Sequence, residues 1–460
     1  MGHKLTGPAI LALGSDFYDP VEPAAFPAAI ARFCNRRWAE RVGLGDLGEA
    51  QWIAHFARFE PLPGNLPAPL ALRYHGHQFR HYNPDLGDGR GFLFAQVRDD
   101  CGRLLDLGTK GSGTTPYSRT ADGRLTLKGG VREVLATEML EALGVNTSKS
   151  FALIETGEQL IRGDEPSPTR SAVLTRLSHG HIRIGTFQRL AFFGEAENIA
   201  KLTQYCLDEL YGDAPGGGDG ANALRLFDLV SEATARLAAS YLAAGFVHGV
   251  LNSDNINVTG ESFDYGPWRF TPFWDADFTA AYFDEAGLYA FARQPEAIHW
   301  DLAQLGGCLA LIGDQSRLAE ILNGWNERFE DALVAAVLKR IGIDSSGGDE
   351  DRALIGHVLR ALESRDVTID RLFFDWRGGR DPGAETYPGA AFRALATALA
   401  GRSKPTKHPY WSGPGPCSMH IEEVEAIWAA IAERDDWQPF EDKVSAIRTM
   451  GEAMSETMPE

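Results

Sequence analysis

The most constraining feature of the chain is a change of hydrophobic period near its middle. Between residues 91 and 177, apolar residues come in short runs of strand length: GFLFAQV, RLLDLGTK, KSFALIET, EQLIRGD and SAVLTRL. Glycine and charged turn residues bound these runs. One segment in this half breaks the pattern. GVREVLATEMLEALGV sets Val131, Leu135 and Met139 at i, i+4 and i+8 with Val134 alongside, the stripe of an amphipathic helix. After the glycine-rich loop GDAPGGGDGAN the helical period dominates, in LRLFDLVSEATARLAASYLAAGF and WDLAQLGGCLALIG. Strands with one helix, then helices, describe an α+β protein with a small sheet-plus-helix unit and a larger, mainly helical one. Between the two helical runs lies an irregular polar stretch, VHGVLNSDNINVTGESFDYGPW. Turn-forming segments held between apolar elements are where catalytic side chains are commonly placed.

The expected organisation has four parts. Residues 1–70 form an N-terminal extension with one helical run at AAFPAAIARFCNRRWAERVG, and residues 71–190 the small mixed unit. Residues 191–345 form the helical unit and 346–460 a divergent C-terminal helical region, with DSSGGDED as an exposed loop and the last ten residues frayed. The 460 residues carry a net charge of -19, which disfavours a general nucleic-acid binder, since that role needs a basic surface. The five cysteines are scattered without a CxxC, which argues against a disulfide framework or a structural zinc site and for a reducing compartment. No secretory signal is read in MGHKLTGPAI and no apolar run approaches a membrane span. The expectation is a cytoplasmic protein without membrane or nucleic-acid partners.

Four constellations carry chemistry. Leu86-Gly87-Asp88-Gly89-Arg90-Gly91 could let backbone N–H groups and Arg90 face an anion, although taken alone such a string is more often a hairpin turn. Lys110 ends an apolar strand, and Glu133 on the following helix is a plausible partner; a strand Lys with a helix Glu is how kinases hold nucleotide phosphates. His248-Gly249-Val250-Leu251-Asn252-Ser253-Asp254-Asn255, followed by Asp264-Tyr265-Gly266, offers Asn255 and Asp264 as oxygen ligands for magnesium. DYG stands where kinases carry DFG. The place of the kinase catalytic aspartate is held by Val250, and the nearest spare carboxylate is Asp254. Finally, Arg176 and Arg183 suit phosphate but could equally be surface residues, and His179 and His181 between them receive no role.

These strings resemble the selenoprotein-O family of kinase-like protein AMP-transferases. The resemblance rests on YHGHQF (74–79), LGDGRG (86–91), TKGSGTTPYSRTADGR (109–124), VREVLATEML (131–140), HIRIGTFQ (181–188), FVHGVLNSDNINVTGESFDYGP (246–267) and YAFARQP (289–295). It implies a two-lobed protein-kinase-like fold in which ATP lies inverted, its α-phosphate toward the acceptor. By motif, Gly87, Gly89, Arg90, Asp122, Gly123, Arg176 and Arg183 would contact nucleotide. Lys110 would bind phosphate and pair with Glu133, Asn255 and Asp264 would hold Mg2+ or Mn2+, and Asp254 would accept the hydroxyl proton. The implied reaction is transfer of AMP from ATP to Ser, Thr or Tyr hydroxyls of proteins, with UMP from UTP as a variant. Alternatives are γ-phosphate transfer, against which Val250 argues, and an inactive nucleotide-binding pseudokinase scaffold, against which the retained acidic and basic residues argue. Against the family pattern, Gly129-Gly130 replaces Ser-Ser, which predicts a looser helix start. Lys128 stands for Arg and Asp301 for Asn, little match is seen beyond about residue 345, and no cysteine follows Cys417 for C-terminal thiol regulation.

Overall fold

The computed structural model describes residues 7–456 except Asp164 and Pro405. The chain start MGHKLT and residues 457–460, on which expectations about a signal segment and fraying partly rest, lie outside the described residues.

An eight-stranded antiparallel sheet organises the first half. Its strands are β1 (Tyr18–Pro20), β2 (Ile30–Cys34), β3 (Leu70–Leu72), β6 (Leu93–Arg98), β7 (Leu104–Lys110), β8 (Leu125–Thr126), β9 (Lys149–Leu160) and β10 (Thr169–Ser178). A separate hairpin, β4 (Gly76–Gln78) and β5 (His81–Asn83), stands beside it, and β11 (Phe246–Val247) pairs with β12 (Arg269–Phe270) further along. The sheet order is β1-β3-β6-β7-β10-β9-β2, with β8 on β10. EQLIRGD is not a strand of its own, because its first three residues complete β9.

The first helices are α1 (Arg36–Arg41), α2 (Glu49–Phe56) and α3 (Leu127–Ala142). The helical run expected at 24–43 divides into β2 and α1. Main-chain pairing of Ile30–Cys34 with β9 overrides helix propensity there. Asn35 starts the helix instead, accepting the Trp38 N–H with its side chain while its amide donates to the Ser150 carbonyl.

Sheet parity decides where the chemistry points. On β7, Leu105 and Leu107 turn to one face and join Trp52, Phe56, Phe94, Phe151 and Val173 in a core beneath α2. Leu104 lies on the other face, in the core with Leu153, Leu174 and α3 residues Val131, Val134, Leu135 and Met139. Lys110 shares the parity of Leu104, so it projects toward α3. The glycine pair does not loosen that helix, because α3 starts upstream of it, where the Thr126 hydroxyl accepts the Gly129 N–H at 3.1 Å. Gly130 is a packing residue: a Cβ there would lie 2.3 Å from Leu153 Cδ1.

The remaining helices are α4 (Ile184–Phe192), α5 (Ala196–Tyr205), α6 (Asp219–Ala244), α7 (Gln294–Leu309), α8 (Gln315–Asn323), α9 (Trp325–Ile341), α10 (Gly348–Glu363), α11 (Ile369–Asp375), α12 (Ala390–Leu399), α13 (Ile421–Arg434) and α14 (Gln438–Ser455). The long apolar α6 is buried among its neighbours, and the polar stretch that follows it runs back toward the sheet. DSSGGDED is only half a loop, since α10 begins at Gly348. Among the described residues no helix is long and apolar enough to cross a membrane.

Candidate active site

The glycine string 86–91 is glycine chiefly for contact. A Cβ at Gly91 would lie 2.0 Å from the Thr109 carbonyl oxygen, and one at Gly87 2.3 Å from the Tyr117 ring. The loop can therefore lie flat on the end of β7 and on the segment that follows it. Between them opens a cleft of ≈ 370 Å³ whose walls include Gly87, Gly89, Arg90, Lys110, Arg176, Arg183 and Asp264.

The Lys110 ammonium is ion-paired to Glu133 Oε1 and lies 2.7 Å from Asp264 Oδ1. Arg176 Nη1 reaches the same Asp264 oxygen at 3.2 Å. Asp264 holds its place in a left-handed backbone conformation, φ 63°. Burial alone would raise its carboxyl, but the charges of Lys110, Arg176, Arg183 and Arg90 hold it well below the usual carboxylate range. Arg183 is buried, with its guanidinium 4.2 Å from the Tyr74 ring centroid, one nitrogen 3.3 Å from Asp88 and another donating to the Asp254 carbonyl at 3.1 Å. Arg90 and Arg119 line the cleft without an ion-pair partner among the described residues. A half-enclosed cleft with this many guanidinium and ammonium groups favours a polyanion.

Asp254, Asn255 and Glu133 stand behind the cleft rather than on its lining. Asp254 sits in a 3₁₀ turn, Ser253–Asn255, and is 8% exposed. Its Oδ1 is buried without a hydrogen-bond partner. Burial pushes its carboxyl up to about 6 against the opposing pull of Arg183. Asp122 and Gly123 line an adjoining recess that shares Arg90 and Ala121 with the cleft, and Asp122 is paired with Arg162 there at 2.9 Å. Val250 accepts a hydrogen bond from the Asn255 amide through its carbonyl at 3.0 Å, so its position supplies structure and no proton acceptor. Tyr74, Gln78, Tyr117 and Ser118 also line the cleft. Sequence reasoning assigned them nothing, although Tyr74 and Gln78 lie in YHGHQF; spacing alone does not show which way they face.

The family model described as protein adenylyltransferase SelO matches residues 4–400. The chain is 41% identical to the protein nucleotidyltransferase YdiU of Synechocystis sp., over 96% of this chain and 97% of that one. The corresponding protein of Gloeobacter violaceus is 43% identical over 96% of this chain and 94% of its own. That of Synechococcus elongatus is 40% identical over 98% of this chain and 96% of its own. The chain belongs to the SelO family. As a SelO-family member it is an enzyme, a protein nucleotidyltransferase. The match runs well past residue 345, where motifs legible by eye stop.

A nucleotidyltransferase of the SelO family implies a nucleotide and a divalent cation. Asn255 and Asp264 suit a hard ion by their chemistry. With its amide N–H donated to Val250, Asn255 keeps Oδ1 as an acceptor that no donor reaches among the described residues. Asp264 is anionic, and the ammonium and guanidinium now on it could pass to phosphate oxygens.

Proposed function

We propose that the chain transfers AMP from ATP to Ser, Thr or Tyr hydroxyls of proteins, releasing pyrophosphate, on a two-lobed kinase-like framework. The sheet with α3 would be one lobe and the helices from α4 onward the other. The observation that carries this reading is the placement of the carboxylates. Lys110, Glu133 and Asp264 meet as in a kinase, yet the kinase base position is Val250 and the spare carboxylate Asp254 lies beside the cleft with a free oxygen.

In this reading Lys110, Arg176 and Arg183 hold the phosphates, and Arg90 and Arg119 meet the nucleotide from the loop side. Gly87 and Gly89 let the loop backbone approach it, and Asp122 and Gly123 border it from the recess. Asn255 and Asp264 would hold Mg2+ or Mn2+, which supplies charge neutralisation at the phosphates when bound. Asp254 accepts the proton of the attacking hydroxyl at its free oxygen. A carboxylate whose proton affinity is raised toward neutral is better matched to that task than an ordinary surface aspartate. The α-phosphorus–oxygen bond to pyrophosphate breaks as the new bond to the acceptor oxygen forms. Positive side chains fixed in advance around the phosphates stabilise the developing charge. UTP would enter by the same phosphate contacts.

The test is incubation with ATP labelled at the α- or the γ-phosphate and a protein acceptor. Transfer of the α-label alone is expected; transfer of only the γ-label would overturn the reading in favour of a kinase.

A further inference from the structure

The phosphate cleft accounts for one reactant, and the acceptor has to reach Asp254 from elsewhere. One wall beside Asp254 is the β4–β5 hairpin. Gly76 lies directly against the carboxylate: a Cβ on it would come within 2.9 Å of Asp254 Cβ and 3.0 Å of Oδ1. Two residues on, the hairpin divides two surfaces. Gln78 lines the nucleotide cleft, while the ring of the next residue, Phe79, packs on Tyr289 and Phe283 at centroid separations of 5.1 and 5.9 Å.

The turn itself is strained. Gln78 pairs with His81, so Phe79 and Arg80 form a two-residue turn with φ 49° and 62°. Bulky L-residues avoid this left-handed region, and hairpins normally place Asn or Gly there. Such conformations persist where surrounding contacts over-determine them, which happens mostly at functional sites. Here the Phe79 N–H donates to Asn252 Oδ1 at 3.0 Å, and the Tyr289 hydroxyl donates to the same oxygen at 2.7 Å. Asn252 precedes Asp254 by two residues, so the hairpin tip is tied to the loop that carries the proton acceptor.

From Phe79 the aromatic surface continues outward through Phe283, 47% exposed, to Tyr282, 87% exposed, with 5.2 Å between their centroids. Exposed aromatics in series are unusual unless they meet a partner. In the same loop Asp277 and Glu285 are exposed and have no ion-pair partner among the described residues. An extended polypeptide rises roughly 3.3 Å per residue, so it crosses each ring spacing in about two residues. A small hydroxylated molecule at Asp254 would not span that series.

We propose that the β4–β5 tip and the Tyr282–Phe283 pair form the docking surface for the acceptor polypeptide. The surface reads an apolar side chain a few residues from the modified hydroxyl and a basic residue opposite Asp277 and Glu285. This assignment rests on the protein AMP-transferase reading above and adds to it the kind of acceptor.

The experiment uses the full chain, α-labelled ATP and short peptides with a single serine. One peptide carries a leucine and an arginine near the serine, a second replaces the leucine by asparagine, and a third replaces the arginine by glutamate. The wild-type chain is expected to favour the first peptide by about tenfold or more in apparent KM, the effect of one buried apolar anchor. Tyr282→Ser combined with Phe283→Ser should erase the leucine preference and leave ATP affinity unchanged. Both side chains are exposed, so folding survives their loss. Asp277→Lys combined with Glu285→Lys should reverse the preference between arginine and glutamate. A wild-type chain indifferent to the peptides, or a double serine variant that keeps the leucine preference, would overturn the surface alone. A chain that binds ATP but transfers no α-label to peptides, proteins or itself would overturn the transferase reading and the surface with it.

Discussion

At the scale of single residues, the site is a contest for one ammonium and one carboxylate. Lys110 is shared by Glu133 and Asp264, and Asp264 is shared by Lys110 and Arg176. Asp264→Ala should remove the metal-dependent gain in ATP affinity while releasing two cations for phosphate, so metal-free binding should hold. Titration calorimetry with and without magnesium checks both halves. Asp254→Asn keeps the shape of the turn and removes the proposed proton acceptor. It should lower kcat for AMP transfer by about 10²–10⁴-fold, the usual size of a general-base contribution, with ATP affinity unchanged. Steady-state transfer assays alongside equilibrium ATP binding separate the two effects. Of the residues singled out in the sequence, the structure pairs Lys110 with Glu133 and brings Arg176 and Asp264 to the same cleft, while Asp254 and Asn255 lie off its lining. The cleft's partners Asp88, Tyr74 and Gln78 were not legible as a group, because they come together only through loop packing and side-chain direction.

At the scale of elements, α3 matters most, because it carries Glu133 on one face and is gripped on another. Its outer side takes α14, where Arg448 makes a two-pronged ion pair with the buried Glu138 at 2.8 and 2.9 Å. Arg448→Ala should cost about 1–3 kcal/mol in chemical denaturation, since Glu138 is left buried with a weaker set of donors. Gly130→Val should cost a similar amount by forcing α3 off β9 at Leu153, about 1–3 kcal/mol for an overpacked contact. Thermal melts of the two variants, with ATP affinity as a second readout, test whether this packing also sets the Lys110–Glu133 pair. The helical run expected at 24–43 is cut short to α1 for a physical reason that belongs to this scale. An Ala-rich segment has high helix propensity, but β9 offers Ile30–Cys34 a row of backbone partners that an isolated helix does not have.

Across the whole molecule, buried charge couples stability to pH. Glu261 is buried under the end of β10, where it accepts the His179 N–H at 2.8 Å. Burial pushes its carboxyl up from 4.5 to about 7, more than Lys149 nearby can offset. A carboxyl raised in the folded state holds its proton there after the unfolded chain has released it. Its contribution is therefore fully present below the unfolded value of 4.5 and is lost as pH rises through about 7. Glu261→Gln should flatten the fall in Tm between those two pH values, and scanning calorimetry across the range would show it. Further along the chain a buried ion pair, Arg340 with Asp370 at 2.6 Å, joins α9 to α11.

Local pattern was enough to read the α+β character, the strand ending at Lys110 and the amphipathic stripe of α3. Each depends on residue order and periodicity, which the chain carries in itself. The tertiary structure alone set the rest. Two short stretches before residue 35 became sheet strands, because a β-strand exists only through a partner distant in the chain. The glycines at 87 and 91 were needed by Tyr117 and Thr109 more than by their own backbone angles. The β4–β5 tip came to rest on the loop of Asp254 through a bond between residues 173 positions apart. Contacts of that range leave no period in the sequence, since their energy depends on where two separate segments meet.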